Sequence, residues 1–391
     1  MKDKEIQLSK EQLDCINCVV NRFIHNEMVT VISAPAGSGK TTLIPYIVEE
    51  LGLFPEEVRY VTLTGKAVRM MRDRGIEAET IHHLIYDCEY DEITQDFTYH
   101  LVSKNKLKDV RLIIIDELSM LETNIFRDLL SFDIPILCLG DEFQLPPIGN
   151  DNRFLERPNF RLTHVFRQNQ DSGILDIATQ IRTTGEIDFS REYSDVTFVR
   201  ENDLLKLLPY FKEADVVLCG SNAGRRTINR YIRQSKGIDT VHFKEPLLRE
   251  RLIFTRNYWN VLSDKGEPLT NGTTGEIIEY QKQSGARFDS FADIVLVPDF
   301  DKTDRYRIRI SLNQFNNVAP QSQRNTHIYP QRLIKCECDF AYALTAHKAQ
   351  GSQWENVLVY TQDMWYGDFK KVLYTAVTRA QKKLVLTLDS K

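Results

Sequence analysis

Ala34-Pro35-Ala36-Gly37-Ser38-Gly39-Lys40-Thr41-Thr42, preceded by the mostly apolar run Val29 to Ile32, decides the fold. It reads as a strand, a phosphate-binding loop and the start of a helix. Glycines let backbone N–H groups turn toward an anion, and the helix N-terminus adds partial positive charge. In such a loop Lys40 reaches the β- and γ-phosphates and Thr41 ligates Mg²⁺. Gly37, Ser38, Gly39 and Thr42 complete the cradle, although Ala34 stands where the pattern usually opens with Gly. ATP with Mg²⁺ is the expected ligand.

A second apolar strand, Ile113-Ile114-Ile115, ends in Asp116-Glu117. Beside a phosphate loop, Asp116 suits the Mg²⁺ shell, and Glu117 can orient and deprotonate an attacking water. The next strand ends in Gly140-Asp141-Glu142-Phe143-Gln144-Leu145-Pro146-Pro147. Gln144 can contact a γ-phosphate and sense its loss, and the prolines stiffen the loop that carries the signal.

The 391 residues allow two to four domains, and 42% hydrophobic with 27% charged residues supports a sizeable core. No apolar run approaches the length of a bilayer span, and the start of the chain lacks an apolar signal segment. A cytoplasmic protein of a bacterial or phage-infected cell, with no membrane association, is expected. The seven cysteines are scattered; Cys15 and Cys18 fall in a helical pattern with no further ligand nearby, so reduced thiols are expected rather than zinc. A net charge of -5 neither supports nor excludes nucleic acid as a partner.

Strand-like runs at Val29–Ser33, Val58–Leu63, Leu112–Ile115 and Ile134–Leu139 alternate with helical stretches such as Lys66–Arg74 and Leu121–Leu130. That alternation predicts an α/β fold with a parallel sheet over 1–85 and 110–165. Residues 86–109 break the pattern with a polar hairpin, Asp87 to Tyr99. A second α/β unit is expected over 166–240 and 336–391, interrupted at 241–335 by a turn-rich β-domain.

These elements resemble superfamily 1B helicases of the RecD/Dda-like group, in family order across nearly the whole chain. The matching segments are Leu8-Ser9-Lys10-Glu11-Gln12, the phosphate loop, Thr62-Leu63-Thr64-Gly65-Lys66-Ala67, Thr80-Ile81-His82, Asp116 to Met120, the Gln144 motif and Val165-Phe166-Arg167-Gln168. In the second half they are Asn271 to Gly275, Leu344 to Gly351 and Tyr374 to Ala380. The resemblance implies two RecA-like domains around an ATP cleft, an SH3-like β-insertion, and 5′→3′ translocation on single-stranded DNA with unwinding of forked duplex. A monomer is implied, with replication or recombination proteins as partners.

The resemblance also implies roles. Gln12 would read the adenine edge, Phe166 would stack on the base, and Arg167 would reach the γ-phosphate. Gln350 and Gly351 would line the nucleotide site, and Arg379 would be an arginine finger supplied from the second α/β domain. Thr64, Lys66, His82, Asn222, Thr345, His347 and Lys348 match positions along a single-strand channel. Lys66, Arg69 and Arg72 share a helical face, as do Asn222, Arg226, Asn229 and Arg233; either stripe fits a DNA contact or a solvated face. Phe97, in the hairpin, would stack on a terminal base pair or pack beneath the hairpin. The rivals are a superfamily 1A motor running 3′→5′ and a nucleic-acid-binding module that uses ATP as a switch without unwinding.

Overall fold

The computed structural model describes residues 8–91, 96–146, 153–165, 172–283, 290–315, 335–364 and 368–388; the side chains of 88, 90, 91, 96, 97, 153 and 259 also lie outside the described set. The first half is built on a six-stranded sheet. Its order is Ala78–Thr80, Val58–Thr62, Leu112–Ile115, Ile136–Gly140, Val29–Ser33 and Phe160–Arg161, and every neighbouring pair is parallel. The two central strands, Leu112–Ile115 and Ile136–Gly140, are buried at every position because both faces are covered. Ile113 and Ile115 pack with Val31 and Val61 against Ile125, Phe126 and Leu129 of the helix Thr123–Leu130. Leu112 and Ile114 point the other way, with Ile32, toward Leu43, Ile44 and Ile47 of the helix Lys40–Glu50.

The second parallel sheet runs Ala343–Thr345, Val216–Cys219, Trp354–Val359, Ala380–Leu388 and Val196–Arg200. One face packs on the helices Gly173–Thr183 and Phe369–Val377. The other shares a core with a third, six-stranded sheet, in which Leu252, Ile277, Leu296 and Ile308 meet Val217, Cys219 and Leu358. That third sheet is antiparallel apart from the pair Tyr306–Ser311 and Lys335–Cys336, and it takes in Cys338–Phe340 at its edge. Because the core is shared, the β-insertion is anchored to the second sheet.

A two-stranded antiparallel hairpin joins Tyr86–Asp91 to Asp96–Leu101, in register from Tyr86↔Leu101 to Asp91↔Asp96. No helix among the described residues is long and apolar enough to cross a membrane. The Cys15 thiol is buried, and burial pushes it up to about 12.

Candidate nucleotide site and nucleic-acid interface

Three adjacent strands of the first sheet, Leu112–Ile115, Ile136–Gly140 and Val29–Ser33, deliver their C-terminal ends to one crevice, as open parallel sheets do at a ligand site. The phosphate loop leaves Ser33, which pairs with Gly140, so it lies beside Asp141. Gly37 and Gly39 take the left-handed conformation at φ 80° and 79°. At Gly37 the need is double, because a Cβ would also sit 3.0 Å from Val165 Cγ1. Gly39 is the N-cap of Lys40–Glu50 and offers no side chain, so nothing of its own covers the helix's first N–H groups. Ser38 Oγ donates to Pro35 O at 2.8 Å and braces the loop.

Lys40 Nζ lies 3.7 Å from Glu117 Oε1 and 3.9 Å from Asp116 Oδ1. Thr41 Oγ1 donates to Asp116 Oδ2 at 3.4 Å. Burial alone would pull Lys40 down, but Glu117, Asp116 and Asp141 outweigh it and leave the ammonium above its ordinary value. Burial pushes Asp116 up, against the pull of Lys40. Glu117 is held below its usual range, because Lys40 and Arg379 together overcome its burial. It is therefore ionised, as a proton acceptor must be. Its backbone is left-handed, φ 61°, which turns the carboxylate out of the strand direction.

Glu117 Oε2 and Gln144 Oε1 are buried without a hydrogen-bond partner among the described residues. Buried oxygens without partners are costly. The Glu117 carboxylate lies beside the Lys40 ammonium and the Thr41–Asp116 pair, a setting that suits added phosphate and water.

The second sheet closes the crevice. Arg379 is buried; its Nε donates to Thr375 O at 3.0 Å, Nη1 to Ser352 O at 3.3 Å and Nη2 to Thr378 Oγ1 at 3.1 Å. Its charge reaches both Glu117 and Lys40. Gln350 Nε2 donates to Leu145 O at 2.6 Å, which ties the second domain to the Gln144 loop. At Gly351, φ 68°, a Cβ would lie 2.9 Å from Thr64 Oγ1. Gln12 completes a capping box with Ser9 and donates to Ser38 O at 3.5 Å, so it lies against the phosphate loop. Phe166 and Arg167 lie outside the described residues.

The residues expected along a single-strand channel are less alike. Thr64 Oγ1 accepts from Ala67 N and caps the helix Gly65–Arg72; Thr345 is buried and accepts from Lys348 N. Lys348 Nζ lies 3.8 Å from Asp339 Oδ2. Burial lowers both His82 and His347, so neither imidazole carries a charge near neutrality. The His82 ring lies against Tyr86 and Tyr99, with centroids 5.7 and 6.1 Å away. Asn222 is exposed, its Oδ1 accepting from Arg225 Nε. Lys66 sits over the Trp354 ring at 4.1 Å, and burial pulls it down to about 8. Phe97 pairs with Tyr90 in the hairpin register, but its side chain lies outside the described set.

Two stripes read from helical spacing need correction. Asn229 is buried and exchanges hydrogen bonds with the Ala343 backbone, and Arg233 is buried in an ion pair with Glu250 at 2.7 Å. Both hold the helix Asn222–Ser235 to its own domain rather than facing DNA or solvent. Arg69 lies over Phe300 at 4.2 Å and Arg72 lies 3.5 Å from Glu267, so that face meets the β-insertion.

The residues that the sequence did not single out are Asp141, Tyr374 and Thr375. Tyr374 Oη donates to Asp141 Oδ2 at 2.7 Å and accepts from Ala36 N–H at 3.0 Å; Thr375 Oγ1 accepts from Leu145 N–H at 3.0 Å. Their presence inside recognised motifs was the available signal.

Residues 7–204 match the family described as AAA domain, and residues 340–387 match the UvrD-like helicase C-terminal domain. The chain is 24% identical to the ATP-dependent DNA helicase dda of Enterobacteria phage T4, over 96% of this chain and 98% of that one. It is 25% identical to the ATP-dependent RecD2 DNA helicase of Deinococcus radiodurans, over 96% of this chain but 48% of the relative. An uncharacterized protein of Methanocaldococcus jannaschii is 24% identical over 99% of this chain, which spans only 38% of that relative's length. Among solved structures, Pif1 helicase from Candida albicans superposes with a TM-score of 0.53 at 16% identity, covering 98% of this chain and 94% of that one. Bacteroides Pif1 bound to ssDNA gives 0.54 at 17% identity, covering 98% and 92%. At these identities the superpositions speak for the fold, two parallel α/β domains of the RecA-like kind. The chain belongs to the family described as AAA domain, and its relatives are consistent with the resemblance to superfamily 1B helicases of the RecD/Dda-like group.

Proposed function

We propose that the chain is an ATP-driven DNA helicase that moves 5′→3′ along single-stranded DNA and opens forked duplex. The observation that carries this reading is the meeting of Lys40, Asp116 and Glu117 from one parallel sheet with Arg379 from the other, in one crevice. Lys40 and the loop N–H groups bind the phosphates, and Glu117 takes the proton of the attacking water. Arg379 adds positive charge from across the cleft, and Gln144 links the γ-phosphate to the second domain through the bond between Gln350 and Leu145. Mg²⁺, held by Thr41 and Asp116, would neutralise charge on the phosphate oxygens. A motor of this kind couples opening and closing of such a cleft to movement.

Phe166 and Arg167 are assigned to the base and the γ-phosphate, and Gln12 to the adenine edge, on the family pattern. The same pattern assigns Thr64, Lys66, His82, Asn222, Thr345, His347 and Lys348 to the single strand. Likeness to the phage and bacterial relatives favours a cytoplasmic monomer acting with replication or recombination proteins. The division into an α/β domain over 1–85 and 110–165, a hairpin over 86–109, a second α/β domain over 166–240 and 336–391, and an SH3-like β-domain over 241–335 belongs to the same proposal.

Unwinding of duplexes that carry either a 5′ or a 3′ single-stranded tail tests the function. Opening is expected only with the 5′ tail. Opening of the 3′-tailed duplex would replace the reading with a 3′→5′ motor, and DNA-stimulated ATPase with no opening of either would leave an ATP switch.

The hairpin gives a narrower prediction. Phe97→Ala is expected to slow strand separation while leaving DNA-stimulated ATPase near normal, because losing a base–aromatic stack removes about 1–3 kcal/mol. Equal loss of unwinding and ATPase would make Phe97 a packing residue. With neither changed, the wedge would move to Tyr90 or Tyr99.

A further inference from the structure

We propose that Tyr374 is a positioning residue for ATP hydrolysis, its hydroxyl fixing the helix end that carries Arg379 against the phosphate loop and Asp141. The inference rests on the hydrolysis reading above and adds to it the group that places the finger.

Tyr374 lies in the helix Phe369–Val377, which packs on the second sheet, yet both partners of its hydroxyl belong to the first. Ala36 N–H can only donate, so the phenolic proton must go to Asp141. Asp141 is fully buried; Phe143 N–H occupies its Oδ1 at 3.0 Å, and Tyr374 serves Oδ2. Burial pushes Asp141 up, against Lys40 and the bonds from Tyr374 and Phe143, and one oxygen of this buried group depends on the tyrosine. Thr375 makes the neighbouring tie, to Leu145 N–H, and Gln350 takes the carbonyl of the same Leu145.

Among the described residues, Arg379 has no such anchor of its own. Its three described bonds all end on second-domain atoms, one of them Thr375 O. Where its guanidinium sits relative to Glu117 therefore follows from where the helix end sits, and Tyr374 and Thr375 set that. Ala36 lies in the phosphate loop, and Asp141 is one of the three carboxylates around Lys40. The tie thus begins at the groups that hold phosphate and ends at the finger. A tyrosine that merely filled the core would need no hydroxyl, since its ring is already packed against Phe143 at 6.0 Å.

The test uses the full chain with single-stranded DNA. Tyr374→Phe keeps the ring and removes the tie. We expect kcat for ATP to fall about tenfold or more, as small misplacements of catalytic groups do. KM and the affinity for a fluorescent ADP analogue should stay within about twofold. On an Arg379→Ala background the same change should add little, because it acts through that arginine. Thr375→Val should repeat the kcat loss and Thr375→Ser should restore it, a pair that carries the test if Tyr374→Phe melts early. Unchanged kcat in both Tyr374→Phe and Thr375→Val overturns the proposal. So does a full further loss when Tyr374→Phe is added to Arg379→Ala. A wild-type chain with no ATPase under these conditions would instead remove the hydrolysis reading itself.

Discussion

Glu117→Gln is expected to bind nucleotide almost as well as the wild type and to hydrolyse it about 10²–10⁴-fold more slowly, the range set by loss of a general base. The amide keeps the shape and the left-handed backbone of the position, φ 61°, but cannot accept the water's proton. Binding should survive because Lys40 keeps a second carboxylate, Asp116 Oδ1 at 3.9 Å, and Asp141 also supports its charge. The loss should fall on chemistry, because Oε2 of Glu117 is buried with no described partner, where an ordinary structural carboxylate would have one. Equilibrium binding of a fluorescent ATP analogue, paired with single-turnover hydrolysis, separates the two effects. Lost binding with the fold intact would make Glu117 only a counter-ion to Lys40.

The first sheet was legible because its central strands, Leu112–Ile115 and Ile136–Gly140, are buried on both faces, and the chemistry sits where they end. Val29–Ser33 and Leu112–Ile115 stand where the pattern predicts them. The strand expected over Ile134–Leu139 begins instead at Ile136, because Pro135 cannot donate to the ladder. Val196–Arg200 was not anticipated; it is an edge strand buried only at Val196 and Val199 and lacks a continuous apolar run.

Within the site, Lys40, Asp116 and Glu117 could be read locally because they flank strand ends. Tyr374 could not, since its partner Asp141 is 233 residues away and a tyrosine in an apolar helix reads as core. The Asn229 and Arg233 stripe failed for a related reason. Helical spacing tells which residues share a face but not what covers it, and here the cover is the backbone at Ala343 and the carboxylate of Glu250.

Arg379→Ala is expected to cut turnover on the order of 10³-fold or more while changing nucleotide affinity little, as loss of an arginine finger does. The guanidinium is held from behind by Thr375 O, Ser352 O and Thr378 Oγ1, so its charge is aimed before any phosphate arrives. A preorganised charge of this kind acts where negative charge develops, and the bound ground state gains less from it. A second readout follows from electrostatics. Lys40 and Arg379 hold Glu117 below its usual range, and the base works only while ionised. Removing Arg379 lets the Glu117 pKa rise, so the acid limb of the kcat profile should move to higher pH. Lys40 remains and keeps the shift partial. A neutral residue at 379 that altered only KM, with the acid limb unmoved, would reduce Arg379 to a binding contact.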